Sequence, residues 1–132
     1  MSARILPVDF DRDTGPHFQA AREGKLVYRH CKSCGRGVHV PTQFCGACGS
    51  NDTEWRESSR KGTVYSWTIV MHQVNPAYPV PYTIVVIALD DAPDVRLIGS
   101  LMGAVPLKAG QPMQAFFDEM SSSTGLPQWR PL

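Results

Sequence analysis

Charge is scarce in this chain. Only 19% of its 132 residues are Asp, Glu, Lys or Arg, and 13 basic against 12 acidic side chains leave a formal +1. So even a balance gives no strong field for drawing in nucleic acid or an anionic membrane. Long apolar runs are missing too: the longest, Ile84–Leu89, is strand-sized, far short of the ~18–20 residues a membrane-spanning helix needs. The opening stretch, MSARILPVDFDRDTG, lacks the apolar segment of a secretory signal, so a soluble, cytoplasmic protein is expected. Catalytic signatures are absent: no G-x-S-x-G, no H-E-x-x-H and no Gly-rich phosphate loop occurs. The serines at 58–59 and 121–123 lie in polar, loop-like stretches. Asp90, Asp91 and Asp94 fall in a D-D-A-P-D turn, where Asp favours turn chemistry. His72 reads as a polar residue at a strand edge. No activity is expected of the chain alone.

What is present is turn-rich. Eleven Gly and eleven Pro exclude a helical bundle and point to short elements. Residues 1–24 read as an arm and a short helix over 13–24, with Asp13 or Thr14 as cap, Pro16 in the first turn and Gly24 just past the end. Residues 25–50 begin with a brief strand, KLVYRH, and hold every cysteine. Residues 51–61, polar around Trp55, read as a connector. From residue 62 to 132 the pattern becomes strands. Period-two alternation places Tyr65, Trp67, Ile69 and Met71 on one face, with Trp67 expected in the core. Further strands are expected at 82–89, 95–103 and 113–120, and a short last one near the end of the chain. The expected fold is mainly β: a helix and a metal ribbon, then a five-stranded barrel of OB-fold type.

The four cysteines form two C-x-x-C-G units, Cys31-Lys32-Ser33-Cys34-Gly35 and Cys45-Gly46-Ala47-Cys48-Gly49. Each unit fits a tight turn that aims two sulfurs at one point, with a glycine free to take the conformation the turn needs. Two facing turns supply Cys31, Cys34, Cys45 and Cys48 as a thiolate tetrahedron, the closed arrangement of structural zinc. Residues 31–50 have little else to bury, and structural zinc can supply ~10–16 kcal/mol of apparent binding energy. Iron in a redox rubredoxin uses similar knuckles, but with a much longer loop between them. Zinc bound to four thiolates carries −2, which takes the formal +1 to about −1 and weakens the link between zinc ribbons and nucleic acid.

The ordered set "RHCKSCG", "VPTQFCGACGS", "EWRESSRKGTVYSWTIV", "PYTIVVIALDD", "VRLIGSLMG" and "LKAGQPMQAFF" resembles the DUF35 family. In that family a helix and a rubredoxin-like zinc ribbon precede an OB-fold. The resemblance spans roughly residues 8–120. It implies a non-catalytic accessory or scaffold subunit of a thiolase-like, aldolase or hydratase complex in acyl-CoA metabolism, of lipids or steroid side chains. A coenzyme A thioester is a possible ligand, with Arg29, Arg60, Lys61 and Arg96 as candidates for its phosphates. Surfaces suited to a hetero-oligomeric partner are Phe18 on the helix, Tyr78 and Val80 in the proline-ordered loop, and Trp129 with Arg130 near the end, both residue types common at interface hot spots. Two alternatives are a nucleic-acid-binding ribbon–OB protein and a free-standing acyl-CoA carrier. The half from 61 to 132, with four basic and five acidic residues, argues against the first.

Overall fold

A computed structural model describes residues 4–132; the first three residues of the expected arm lie outside it. Residues 4–12 run without regular structure into helix α1, Gly15–Arg22, shorter than the expected 13–24. Thr14 is the N-cap, but its hydroxyl donates to Asp11 at 2.6 Å instead of capping the helix, and Asp11 also accepts from its N–H at 2.8 Å. The far end closes as the sequence indicates. Gly24, at φ +77°, donates to the Ala21 carbonyl, and Lys25 donates to that of Ala20. This is the left-handed glycine stop that satisfies a helix's last carbonyls.

The ribbon strands are β1, Val27–Cys31, and β2, Thr53–Glu57, paired antiparallel from Val27↔Glu57 to Cys31↔Thr53. Residues 51–61, expected as a connector, therefore contain a strand. Its polarity conceals it: β2 pairs edge to edge with β1 and none of its residues is fully buried, and Trp55 is its single large apolar residue.

The barrel strands are β3 (Lys61–Val70), β4 (Tyr82–Leu89), β5 (Arg96–Met102), β6 (Pro112–Glu119) and β7 (Gly125–Pro131), in the order β5-β4-β3-β6-β7. β3 is the hinge of the sheet. Its first residues, Lys61 to Thr63, pair with β6, while Gly62 to Val70 pair with β4 across a bulge between Val64 and Ser66. A bulge bends a strand and sharpens its twist. Beyond it the β3–β4 pair has no β6 beside it, and Tyr65 through Ile69 are all exposed. This corrects the expectation for Trp67, which is 38% exposed rather than in the core.

The core is filled instead by Trp129, fully buried with Leu26, Ile87, Leu89, Met113, Val85 and Val95. Trp129 was expected at an interface; it is the reverse. β7 pairs with β6 along its whole length, with Ala115↔Trp129, so the indole is carried inward. Space is made for it by Gly99, where a Cβ would lie 2.9 Å from Trp129 Cδ1. Residues 126–132 are thus mostly a barrel strand. Leu26 and Tyr28, flanking the start of the ribbon, belong to the same core cluster, so the base of the ribbon is anchored in the barrel interior.

β5 and β7 are the two ends of the sheet, and no backbone ladder joins them. The seam is bridged by a side chain: Gln128 Oε1 accepts from the Ser100 N–H at 2.9 Å. Among the described residues no helix is long and apolar enough to cross a membrane.

Candidate functional site

The two knuckles are built alike. In the first, the Gly35 N–H donates to the Cys31 carbonyl (2.9 Å) and the Cys31 N–H to that of Arg36. In the second, Gly49 donates to Cys45 (2.8 Å) and Cys45 to Ser50. Gly35 and Gly49 both sit near φ +80°, at +81° and +77°, a conformation glycine takes without penalty. The Ser33 and Ser50 hydroxyls join the two turns at 2.8 Å.

The four sulfurs lie within 4.8 Å of one another. Cys31–Cys48 is 3.6 Å and Cys34–Cys45 is 3.7 Å, too long for disulfides. A Zn–S length of ~2.3 Å places the edges of a tetrahedron at about 3.8 Å, so donor set and spacing fit a four-coordinate zinc with no open position. Backbone amides favour the thiolate form at two of the four sulfurs, Cys45 and Cys31; at Cys34 the Arg36 N–H is outweighed by burial and the neighbouring sulfurs, which push it up to about 11, and Cys48 is raised as well. The N–H groups of Cys48 and then Ala47, directed at the Cys45 sulfur, lower its pKa to about 7. The Cys34 N–H lowers that of Cys31. Cys31 and Cys45 are buried with Val38 in a small core of their own, while Cys34 and Cys48 are exposed. His30 and His39 are not in this cluster.

The turn carboxylates act as couplers. Asp94, at the β4–β5 turn, accepts from the Gly37 N–H at 2.9 Å and pairs with Arg36 at 3.7 Å. Asp91 accepts from the Ser58 hydroxyl (3.1 Å) and the Ser59 N–H (2.8 Å). Both bonds tie the ribbon side to the barrel. At Gly37 the approach is so close that a Cβ would collide with the Val95 side chain. The sequence suggested a turn role for these aspartates but not their partners, because residues 57 positions apart cannot be matched from spacing.

The four cations suggested for phosphate contact occupy different places. Arg29 donates to Thr53 Oγ1 at 2.9 Å and lies over the Trp55 ring at 5.4 Å. Arg96 lies over Tyr65 at 4.1 Å. Arg60, at φ +66°, accepts through its carbonyl from Ala115, and Lys61 opens β3 in an exposed position. None of the four lines the cavities of about 280 and 590 Å³.

The smaller cavity, about 280 Å³, lies where α1, the ribbon and the barrel meet, with His17, Phe18 and His39 in its wall. Phe18 packs edge-on to the His17 ring at 5.1 Å. His17 Nδ1 donates to the Val27 carbonyl at 2.9 Å. Burial lowers its pKa, more than that bond raises it, and burial together with the nearby His17 lowers that of His39. The larger cavity, about 590 Å³, lies over the seam of the barrel and includes Tyr78, Trp129 and Arg130. Tyr78 and Val80 are half-buried and Arg130 is exposed, stacked on Phe116 at 5.3 Å. The sequence did not suggest a third surface, the exposed Tyr65, Trp67, Ile69 and Met71 of β3 and the residue that follows it. Alternation alone cannot tell which stretch of a long strand lacks a cover.

Known proteins match this arrangement along most of its length. Residues 18–54 match the model of the ChsH2 rubredoxin-like zinc ribbon domain, and residues 55–118 that of the ChsH2 C-terminal OB-fold domain. A solved structure described as an "Ltp2-ChsH2(DUF35) aldolase" is similar with a TM-score of 0.80 and 31% identity, over 95% of this chain and 98% of that one. A DUF35-family protein of unknown function from Sulfolobus solfataricus shares the fold, at TM-score 0.60 and 19% identity over 83% of this chain and 80% of that one. A "Probable enoyl-CoA hydratase alpha subunit" of Thermomonospora curvata is 32% identical over 123 residues, 92% of this chain. The chain spans 38% of that relative's length.

Proposed function

The chain belongs to the DUF35 family, in the ribbon-plus-OB form of ChsH2, and from that premise we propose that it is a non-catalytic accessory subunit of an acyl-CoA-processing enzyme. The partner is an enzyme of aldolase, thiolase or hydratase type. The observation that carries this reading is the match across 95% of the chain to the ChsH2 component named with an aldolase. The alpha-subunit name of the hydratase relative points the same way. Cys31, Cys34, Cys45 and Cys48 hold a structural zinc, which supplies stability to the ribbon and no chemistry.

The exposed Tyr65, Trp67, Ile69 and Met71 suit a protein partner, because contiguous exposed apolar groups mark association surfaces. The experiment is co-expression with an aldolase-, thiolase- or hydratase-type enzyme encoded beside this chain. Co-elution in fixed ratio is expected, with activity or solubility that the enzyme lacks by itself. Trp67→Ala weakens co-elution and leaves the melting temperature unchanged. A chain that elutes alone, beside an enzyme fully active without it, overturns the proposal. The purified chain is expected to hold one zinc and to be colourless; the visible absorption of iron tetrathiolate would replace zinc with iron in the site.

A further inference from the structure

The larger cavity lies over the barrel seam, where residues of β5, β6 and β7 and of the loop at 77–79 surround the gap in the sheet. Its volume, about 590 Å³, is in the ~300–1,000 Å³ range of small-molecule sites. Its polar groups are one-sided. Trp129 is fully buried, and its indole Nε1–H is a buried side-chain donor with no acceptor. Such an unpaired donor is costly unless something supplies a lone pair. Tyr78 Oη accepts from the Ile5 N–H at 3.0 Å, so its own proton is available to donate. Arg130 is stacked over Phe116 and has no acidic partner within 4 Å among the described residues, in contrast to Arg4, which pairs with Asp118 at 3.2 Å. Two of the acceptor oxygens in the wall are engaged: Asp118 Oδ2 by Arg4, and Gln128 Oε1 by the Ser100 N–H. Leu101, Met102 and Val105 supply apolar wall.

We propose that this seam cavity binds an apolar monocarboxylate. The carboxylate lies against Arg130 and the Tyr78 hydroxyl, and the hydrocarbon body covers the apolar wall. A head that only accepts hydrogen bonds complements the two free donors, the Arg130 guanidinium and the Tyr78 hydroxyl. One guanidinium left over after the Arg4–Asp118 pair sets the ligand's charge at −1. The buried Trp129 indole backs the wall and serves as a reporter, since a ligand seated against that wall changes its surroundings. This site lies apart from the metal centre, does not rest on the accessory-subunit reading and needs no partner chain.

The test uses the full, zinc-loaded chain at pH 7.5 and decanoate as probe, with decanol as its uncharged counterpart. Calorimetry is expected to show saturable one-to-one binding of decanoate, with decanol at least tenfold weaker. The Trp129 indole N–H resonance is expected to move as decanoate is added. Arg130→Gln raises the Kd about tenfold, the effect of losing one charge-assisted hydrogen bond, with the melting temperature unchanged. Tyr78→Phe gives a smaller rise in the same direction, and keeps the test independent of how Arg130→Gln folds. No saturable binding, equal affinity for decanol, or unchanged affinity in both variants overturns the proposal. So does binding of a peptide's free C-terminus where decanoate fails, because the site would then be a protein-docking groove. None of these outcomes bears on co-elution with an enzyme partner.

Discussion

At Cys34 a single sulfur decides whether the tetrahedron closes. Cys34→Ser leaves three thiolates and is expected to lower zinc content from about one per chain to well below it. Amide exchange in residues 28–57 should accelerate far more than in β4 and β5, which metal analysis with hydrogen-exchange mass spectrometry would show. His17 makes a different kind of prediction. Burial lowers its folded pKa, so the folded state holds fewer protons than the unfolded state once the pH is below about 6.5. The stability of neutral, buried His17 is full above that value and is lost as the pH falls through the lowered folded one. Urea midpoints should therefore fall on acidification from pH 7.5 toward 5, and His17→Gln should flatten that slope. The carboxylates of Asp9 and Asp11, held below the usual range by hydrogen bonds from Thr124 and Thr14, matter only in more acid solution. The cysteines were legible because a metal-binding turn is local: four residues and a glycine define it. Trp129 was not, since Leu126–Leu132 carries two prolines and no alternation that says which side is covered.

Among the elements, α1 and β7 make a close backbone approach. A Cβ on Gly125 would come within 2.5 Å of the Ala21 carbonyl carbon and of the Arg22 nitrogen. Backbone cannot yield there as a flexible side chain would, so Gly125→Val is expected to cost ~1–3 kcal/mol as an overpacking change. Chemical denaturation measures it, and a neutral effect would mean that the helix stands off from the strand. Helix, knuckles and barrel strands were all visible as periodicity and punctuation. β2 escaped because an exposed ribbon strand with one tryptophan has the composition of a linker. The overhang of β3 escaped for the opposite reason: its alternation is intact, and only the early end of β6 pairing leaves it uncovered.

For the molecule as a whole, the ribbon has two supports of different kinds. Leu26 and Tyr28 anchor its base in the barrel core, whereas Cys31, Val38 and Cys45 form a separate cluster. Chelation should therefore melt the knuckles while the barrel's near-ultraviolet circular dichroism persists. A single cooperative loss of both would show that the barrel, too, depends on the metal. Order along the chain was readable, but contact between distant segments was not: the Asp94–Gly37 and Gln128–Ser100 links join residues 57 and 28 apart. The placement of Trp129 has one more consequence, for the sequence of events during synthesis. The knuckles are complete within 18 consecutive residues, 31–48, and can take up metal soon after they leave the ribosome. The barrel interior, by contrast, stays open until β7 emerges with the indole that fills it. Long-range closure of that kind is the slow, aggregation-exposed part of folding. For the interval before residue 129 is available, the nascent chain is a finished metal lobe attached to four unsealed strands.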